Sequence, residues 1–378
     1  MNIGIVCYPT FGGSGAVATE LGIALAKHGC KVHFISYNLP FKLNQFNENI
    51  VYHEVEWYEY PLFEYQPYES ALTSKIVDVA LYENLDLLHV HYAIPHASAA
   101  YMAKQILKSK KISLPYITTL HGTDITLVGK DPSFEPIIRF SLNNSDAITS
   151  VSKALKKETL QTFKIDNNIE VIYNFIDFYK IQRIRQSTTC YLSNKSKNEK
   201  ILMHISNFRK VKRIDDIVKV FAAVRKKIPS KLVLVGDGPE KPSIERLVRE
   251  EHLSKDVIFT GRIADPLEIL ASADLYLLPS ETESFGLSAL EAMAMGIPVI
   301  SSNSGGITEV NIHGKTGFTC NVGDVNSMIK YSLELLTNLK KYQQFQHNAI
   351  DQAKKFDIKN ILPKYMNLYK KVLEKKIN

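Results

Sequence analysis

Cysteine is scarce: four residues in 378. Cys7, Cys30, Cys190 and Cys320 are scattered, and none forms a Cys-x-x-Cys pair. That excludes a disulfide framework and a thiolate zinc site. No run approaches the roughly 18 apolar residues that a membrane span needs, so stable membrane insertion is not expected. No Asp-x-Asp occurs, which removes the usual carboxylate cradle for Mg²⁺ on a diphosphate. The start, Met1-Asn2-Ile3-Gly4-Ile5-Val6, reads directly as a strand with no basic leader and no cleavage site. A reducing cytoplasm is the expected compartment. Residues 43–74 contain no Lys or Arg. There Trp57, Tyr58, Tyr60, Phe63, Tyr65 and Tyr68 are mixed with Glu54, Glu56, Glu59, Glu64 and Glu69. We read this stretch as an ordered loop that packs on its own domain or on a partner subunit, which leaves homo-oligomerisation open.

What is present points to a two-domain α/β protein. The chain is 45% hydrophobic and 22% charged, long enough for two domains of roughly 150–200 residues. The net charge of +7 is mild, and its lysines cluster in helical stretches such as 104–111 and 371–376. These read as solvent-facing surface, so nucleic acid is not an expected partner. Short apolar strands are predicted over 3–7, 31–36, 87–90, 116–119, 147–150 and 170–172, and again over 201–205, 232–235, 257–259, 275–278 and 299–301. Helical stretches lie between them, such as 16–28, 96–108, 215–227, 243–251 and 287–295. Alternation of this kind means parallel sheets with helices on both faces. Two such runs mean two Rossmann-like doubly wound domains, 1–173 and 174–356, with the polar stretch 187–200 beside the break. A last helix over about 357–378 is expected to pack back on the first domain. Ligands in such sheets bind beyond the carboxyl ends of the strands, so the site is expected in a cleft between the two.

The loops at those strand ends carry the chemistry. Gly12-Gly13-Ser14-Gly15 follows strand one and opens a helix, where glycine backbone and free N–H groups suit an anion. Its spacing is not Gly-x-Gly-x-x-Gly, and strand two ends in Ser36-Tyr37-Asn38 without an acid, which argues against a nicotinamide cofactor. His121-Gly122-Thr123-Asp124 ends another strand, with His121 placed to meet a sugar hydroxyl or a leaving group. His89 and His91 share one strand face, but no acid or cysteine stands at ligand spacing, so no metal site is assigned. Ser206-Asn207-Phe208-Arg209-Lys210-Val211-Lys212-Arg213 puts four cations in five residues on a strand-to-helix loop, a phosphate clamp by charge and position. Gly236-Asp237-Gly238-Pro239 and Gly261-Arg262 place glycines at further strand ends, where a base or phosphate can lie close. Glu283-Ser284-Phe285-Gly286-Leu287-Ser288-Ala289-Leu290-Glu291 sets two carboxylates around a helix N-terminus, with Gly296-Ile297-Pro298-Val299 beyond. The N–H groups of residues 285–288 suit a diphosphate, Glu291 the ribose and Glu283 a sugar.

In order and over the whole chain, these motifs resemble the family-4 retaining glycosyltransferases of the two-domain GT-B type. Within that family the chain resembles the branch that makes N-acetylglucosaminyl L-malate for bacillithiol. The matches are residues 7–15, His89-Val90-His91-Tyr92-Ala93-Ile94-Pro95-His96, Thr119-Leu120-His121-Gly122-Thr123-Asp124 and Ser206-Asn207-Phe208-Arg209. The resemblance implies UDP-N-acetylglucosamine as donor, L-malate as acceptor and no cofactor or metal. It implies donor contacts at Gly15, Asn207, Gly236, Gly238, Gly261, Arg262, Ser284, Phe285, Gly286, Leu287 and Glu291. Acceptor contacts are expected among Gly13, Ser14, Tyr92, Thr119, Thr123 and Arg139, the last also readable as a surface arginine. The family pattern has Gly-Arg where this chain has Ser206-Asn207. Arg209 and Lys212 are expected to supply the missing charge, and with His121 and Glu283 to form the catalytic set. Another acceptor, a UDP-GlcNAc 2-epimerase and a non-enzymatic sugar-nucleotide sensor are the competing readings.

Overall fold

The alternation of strand and helix resolves into two sheets in which all described neighbours pair parallel. The structure is a computed structural model and describes all residues except 11, 44–45, 58–66, 128, 130, 188–197 and 378. Phe11, Tyr58, Glu59, Tyr60, Phe63, Glu64, Tyr65, Cys190 and most of the polar stretch 187–200 therefore lie outside the described residues.

The first unit comprises Met1–Asn174 with Ile358–Asn378. Its strands are β1 (Asn2–Val6), β2 (Lys31–Ser36), β3 (Ile50–Glu54), β4 (Leu87–His91), β5 (Tyr116–Leu120), β6 (Ala147–Ser150) and β7 (Ile169–Val171). They lie in the order β3-β2-β1-β4-β5-β6-β7. β4 and β5 are buried at every position, because helices cover both faces of a parallel sheet. On one face Ile35, Val55 and Leu88 join Leu72, Ile76 and Val79 of the helix Tyr68–Tyr82. The last helix, Ile358–Ile377, belongs to this unit, and its Tyr365 and Tyr369 are fully buried.

The second unit is Phe175–Asp357. It contains β8 (Lys200–Ile205), β9 (Ser230–Val235), β10 (Val257–Gly261), β11 (Leu275–Leu278), β12 (Val299–Ser302) and β13 (Gly317–Cys320), in the order β10-β9-β8-β11-β12-β13. Its core joins Leu232, Leu234 and Leu277 to Ile217, Phe221 and Val224 of the helix Ile214–Arg225.

In each sheet the strand order reverses once, between β1 and β4 and between β8 and β11. The loops that leave those strands diverge and open a crevice at the carboxyl ends. Two strands depart from the sequence reading. The stretch 43–74, expected as a loop, contains the edge strand β3 and the start of the helix Tyr68–Tyr82. Trp57 and Tyr68 of this stretch do pack on their own unit, Tyr37 lying 6.2 Å from Trp57 and 5.6 Å from Tyr68, centroid to centroid, while Phe46 is exposed. β13 is the second addition. Cys7, Cys30 and Cys320 are buried free thiols. Among the described residues, no helix is long and apolar enough to cross a membrane.

Candidate active site

The first unit gathers its polar residues on the loops after β1, β4 and β5. Gly13 sits at φ 60° with open space where a side chain would be, directly before the helix Ser14–Lys27. The Ser14 hydroxyl lies 2.6 Å from the Tyr92 hydroxyl, so the loops after β1 and β4 are joined. Asp124 joins the next pair: its carboxylate accepts from Ala93 N–H at 2.8 Å and Gly122 N–H at 3.1 Å. Burial raises its carboxyl to about 6, against the lowering by those backbone bonds. Asp124 had no assigned role in the sequence reading, although a carboxylate beside a glycine turn is a signal for such a clamp.

Beneath these loops lies a stack of histidines. His91 Nδ1 lies 2.8 Å from His121 Nε2, and the rings of His89 and His91 stack at 4.5 Å. His89 is held by the Tyr369 hydroxyl at 2.7 Å and the Thr119 hydroxyl at 2.6 Å. Burial holds the imidazoles of His89 and His121 down at about 3 and that of His96 at about 4. His91 is pushed the same way by burial and then by its histidine neighbours. All four are therefore neutral at neutral pH, and His91 engages Nε2 of His121.

Two of the acceptor candidates have partners of their own in this unit. Thr119 is fully buried, and its hydroxyl is engaged with His89 and with Thr149 at 2.6 Å. Successive side chains point to opposite faces of the sheet, and this one turns into a covered face with its hydroxyl already engaged. Arg139 lies exposed on the helix Glu135–Asn143, 3.4 Å from Glu135 one turn earlier, as a surface arginine does. Thr123, half-buried in the turn Thr123–Leu127, and Tyr92 remain at the strand ends.

The second unit concentrates charge on the loops after β8 and β11. Lys212 Nζ stands 2.7 Å from Glu283 Oε2, and Ser280 adds a 3.3 Å hydrogen bond to the same oxygen. Both side chains are largely buried, at 18% and 14% exposure. Backbone bonds tie the loops together: Glu281 N–H to Val211 carbonyl at 2.8 Å, and Gly306 N–H to Glu283 carbonyl at 2.8 Å. With its amide oxygen turned toward Arg209, Asn207 accepts from that guanidinium at 2.9 and 3.1 Å. The clamp is smaller than its four cations suggest. Arg213 is bound at 2.7 Å to the buried Asp216, one turn into the helix Ile214–Arg225. That leaves Arg209 and Lys212 half-buried near the strand ends, with Lys210 exposed.

Gly286, at φ 90°, caps the helix Leu287–Ala294. Gly286 is the N-cap and the first intrahelical bond runs from Leu290 N–H to the Gly286 carbonyl, so the N–H groups without an intrahelical acceptor are those of Gly286, Leu287, Ser288 and Ala289, one position later than residues 285–288. The Phe285 ring packs into the core against Phe356, so any ligand contact there is through backbone; Ser284 and Glu291 are half-buried. Tyr276, which the sequence reading passed over as an apolar strand residue, bridges the Ile205 N–H and carbonyl at 3.1 Å each. It anchors the end of β8 where the basic loop begins.

Three of the glycines are required by the packing of the protein's own loops. A Cβ on Gly15 would stand 2.5 Å from the Tyr8 carbonyl oxygen. One on Gly236 would stand 1.9 Å from the Ser206 carbonyl oxygen, and one on Gly238 2.7 Å from the Phe208 backbone. These glycines let the protein's own loops cross. Gly261, at φ 70°, does have open space, and Arg262 beside it is exposed, 3.9 Å from Asp237. Gly236→Ala is expected to destabilise the second unit by on the order of 3 kcal/mol or more, through the clash and the positive φ. Urea unfolding measures it, and a loss under about 1 kcal/mol would show that the loop yields.

The sequence profile of Glycosyltransferase Family 4 matches residues 11–179, and that of Glycosyl transferases group 1 matches residues 192–352. The chain is 46% identical over 376 residues to N-acetyl-alpha-D-glucosaminyl L-malate synthase of Bacillus anthracis, covering 99% of this chain and 97% of that one. The chain belongs to glycosyltransferase family 4. Solved structures agree on the fold. Sucrose-phosphate synthase of Thermosynechococcus elongatus superposes with a TM-score of 0.82 at 20% identity, covering 99% of both chains. HepE of Anabaena, in complex with UDP and glucose, gives 0.76 at 20% identity, covering 97% of this chain and 99% of that one. The transferase thus has the two parallel α/β units of the GT-B fold.

Proposed function

We propose that the transferase moves N-acetylglucosamine from UDP-N-acetylglucosamine to the hydroxyl of L-malate, giving GlcNAc-alpha-malate, in the cytoplasm, as the first step toward bacillithiol. The observation that carries this reading is the 46% identity to the malate synthase over 99% of the chain, which spans the loops of both units.

In this reading the second unit holds the donor. Arg209, Lys212 and the N–H groups of Gly286, Leu287, Ser288 and Ala289 stabilise the charge on the departing diphosphate. Glu283 accepts from sugar hydroxyls and Glu291 from the ribose. The malate hydroxyl attacks the face that UDP leaves. The bond from the anomeric carbon to phosphate oxygen breaks, the bond to malate oxygen forms, and the departing phosphate takes the malate proton. Configuration is retained without an enzyme nucleophile. In the first unit, Gly13 N–H, Ser14, Tyr92 and Thr123 suit the two carboxylates of malate. His121 presents a neutral imidazole, a donor or acceptor for a hydroxyl. The cationic side chains take the place of a divalent ion, so the initial rate is expected to be unchanged in EDTA.

The deciding experiment is mass spectrometry of UDP-GlcNAc incubated with malate, inositol phosphate or water. A GlcNAc-malate product, with UDP released only when malate is present, is expected. UDP release at the same rate in water would assign an epimerase or hydrolase instead.

A further inference from the structure

A polar cluster in the first unit lies apart from the loops just described. β2 and β3 pair in the register His33↔Val51 and Ile35↔His53. Residues two apart share a face, so His33, Ile35, Val51 and His53 project to the same side. Ile35 on that side packs on the helix Tyr68–Tyr82, whose C-cap is Glu83. In a parallel sheet the covering helix runs back against the strands. Glu83 therefore returns to their amino-terminal ends, while His121 stands at the carboxyl ends. The result is two imidazoles and a carboxylate with one ligand atom each, all within 4.8 Å of one another. Among the described residues no other such group of three occurs.

The geometry suits coordination. His33 Nδ1 and His53 Nε2 face each other at 3.0 Å. A tetrahedral ion with bonds of about 2.0–2.1 Å holds two nitrogens roughly 3.3 Å apart, so a few tenths of an ångström separate this pair from that arrangement. The His33 ring is fully buried, and its other nitrogen has no hydrogen-bond partner, so the nitrogen facing His53 is its one polar outlet. His53 is half-buried, and its proton can sit on Nδ1 as that of His33 can sit on Nε2. Both facing nitrogens then present lone pairs without net loss of a proton. Glu83 is 30% exposed, which leaves room for a water as fourth ligand. Its present partner, Lys31, is an exposed ammonium at 3.5 Å, a pair weakly held.

We propose that His33, His53 and Glu83 bind one divalent transition-metal ion of the zinc class, which staples the edge strand β3 to β2 and to the end of the helix Tyr68–Tyr82. Two nitrogens and one carboxylate oxygen favour zinc, cobalt or nickel over magnesium. The role is structural and independent of the transfer reaction.

The test uses the full chain after dialysis against a chelator, titrated with Co²⁺ and read by its visible absorption. One equivalent should bind, with the intense bands of a four- or five-coordinate site. His53→Ala and Glu83→Gln should each weaken binding at least about tenfold, since even outer-shell changes cost that much. His347→Ala should change nothing, although His347 also has a carboxylate, Asp351, at 3.2 Å. Zn²⁺ should raise the Tm of the wild type and not that of His53→Ala. Full affinity retained in Glu83→Gln and His53→Ala, or no saturable band up to millimolar Co²⁺, would overturn the proposal. Glu83 is partly exposed, so Glu83→Gln keeps the test valid should His53→Ala fail to fold.

Discussion

Lys212→Ala should lower kcat by about 10²–10³ while changing the KM for malate only slightly. That is the typical cost of removing one charge partner from a developing oxyanion. Lys212 is suited to such a role. Its ammonium has three donors, one of which is used by Glu283 at 2.7 Å, and it is only 18% exposed. A largely buried cation acts through a lower effective dielectric than a surface one. The ion pair holds it in place before the diphosphate arrives, so little reorganisation remains at the moment of bond breaking. Glu283 keeps the Ser280 hydrogen bond when the lysine is lost, and its own position should survive. Glu283→Gln should also reduce turnover, by weakening both the grip on Lys212 and the acceptor offered to the sugar. Lys210→Ala, on the exposed side of the same loop, should leave kcat near wild type. Steady-state kinetics in both substrates, with Tm measured alongside, separates these cases. Normal turnover in Lys212→Ala would remove the lysine from the leaving-group site.

The first unit should lose stability steeply between pH 6.5 and 4. His89, His91, His96 and His121 are each fully or almost fully buried, and burial holds each below the ordinary histidine value of 6.5. The unfolded chain takes up protons as pH falls through 6.5, while the folded stack stays neutral down to about 4 or 3. The unfolded state therefore binds more protons in that window, and stability falls with pH. Each histidine contributes about 1.4 kcal/mol per pH unit. Asp124 works the other way. Its carboxyl is raised to about 6, so between 6 and its unfolded value near 4 the folded state holds the extra proton. Four histidines and His33 of the same unit, also buried and held at about 4, less one aspartate leave on the order of 5 kcal/mol per pH unit between 6 and 5, against a typical total of 5–15 kcal/mol. The second unit has one such histidine, His204, held at about 4 by burial. Hydrogen exchange at pH 7 and pH 5 should show β4 and β5 losing protection while β8 and β11 keep most of theirs. Equal protection in both units at pH 5 would mean that the stack admits water or rearranges.

Much of the fold was legible in the residues. Strands of a parallel sheet are covered on both faces, so they read as short unbroken apolar runs such as Leu-Val-Leu-Val at 232–235. Their alternation with helices implies two doubly wound units, and the polar residues after each run mark the carboxyl ends. The two strands that were missed are β3, half-exposed at a sheet edge with the mixed sequence Ile-Val-Tyr-His-Glu, and β13, only four residues long and opening on glycine. Edge strands bury less and so carry a weaker pattern.

The sequence by itself therefore determined the class of fold, the order of the loops and the kinds of side chain each loop offers. All of that is local: periodicity, turn residues and charge sit within a few positions of one another. Tertiary structure alone decided which groups meet. Lys212 is paired with Glu283, 71 residues away, while Arg213, next in the chain, is bound to Asp216. Thr119 turns inward to His89 and Thr149, while His121, two residues on, reaches the strand end. Gly236 and Gly238 make room for the backbone of Ser206 and Phe208, 30 residues earlier in the chain. A side chain's chemistry is written at its own position, but its partner is chosen by sheet register and loop crossing, which join residues that the sequence keeps far apart.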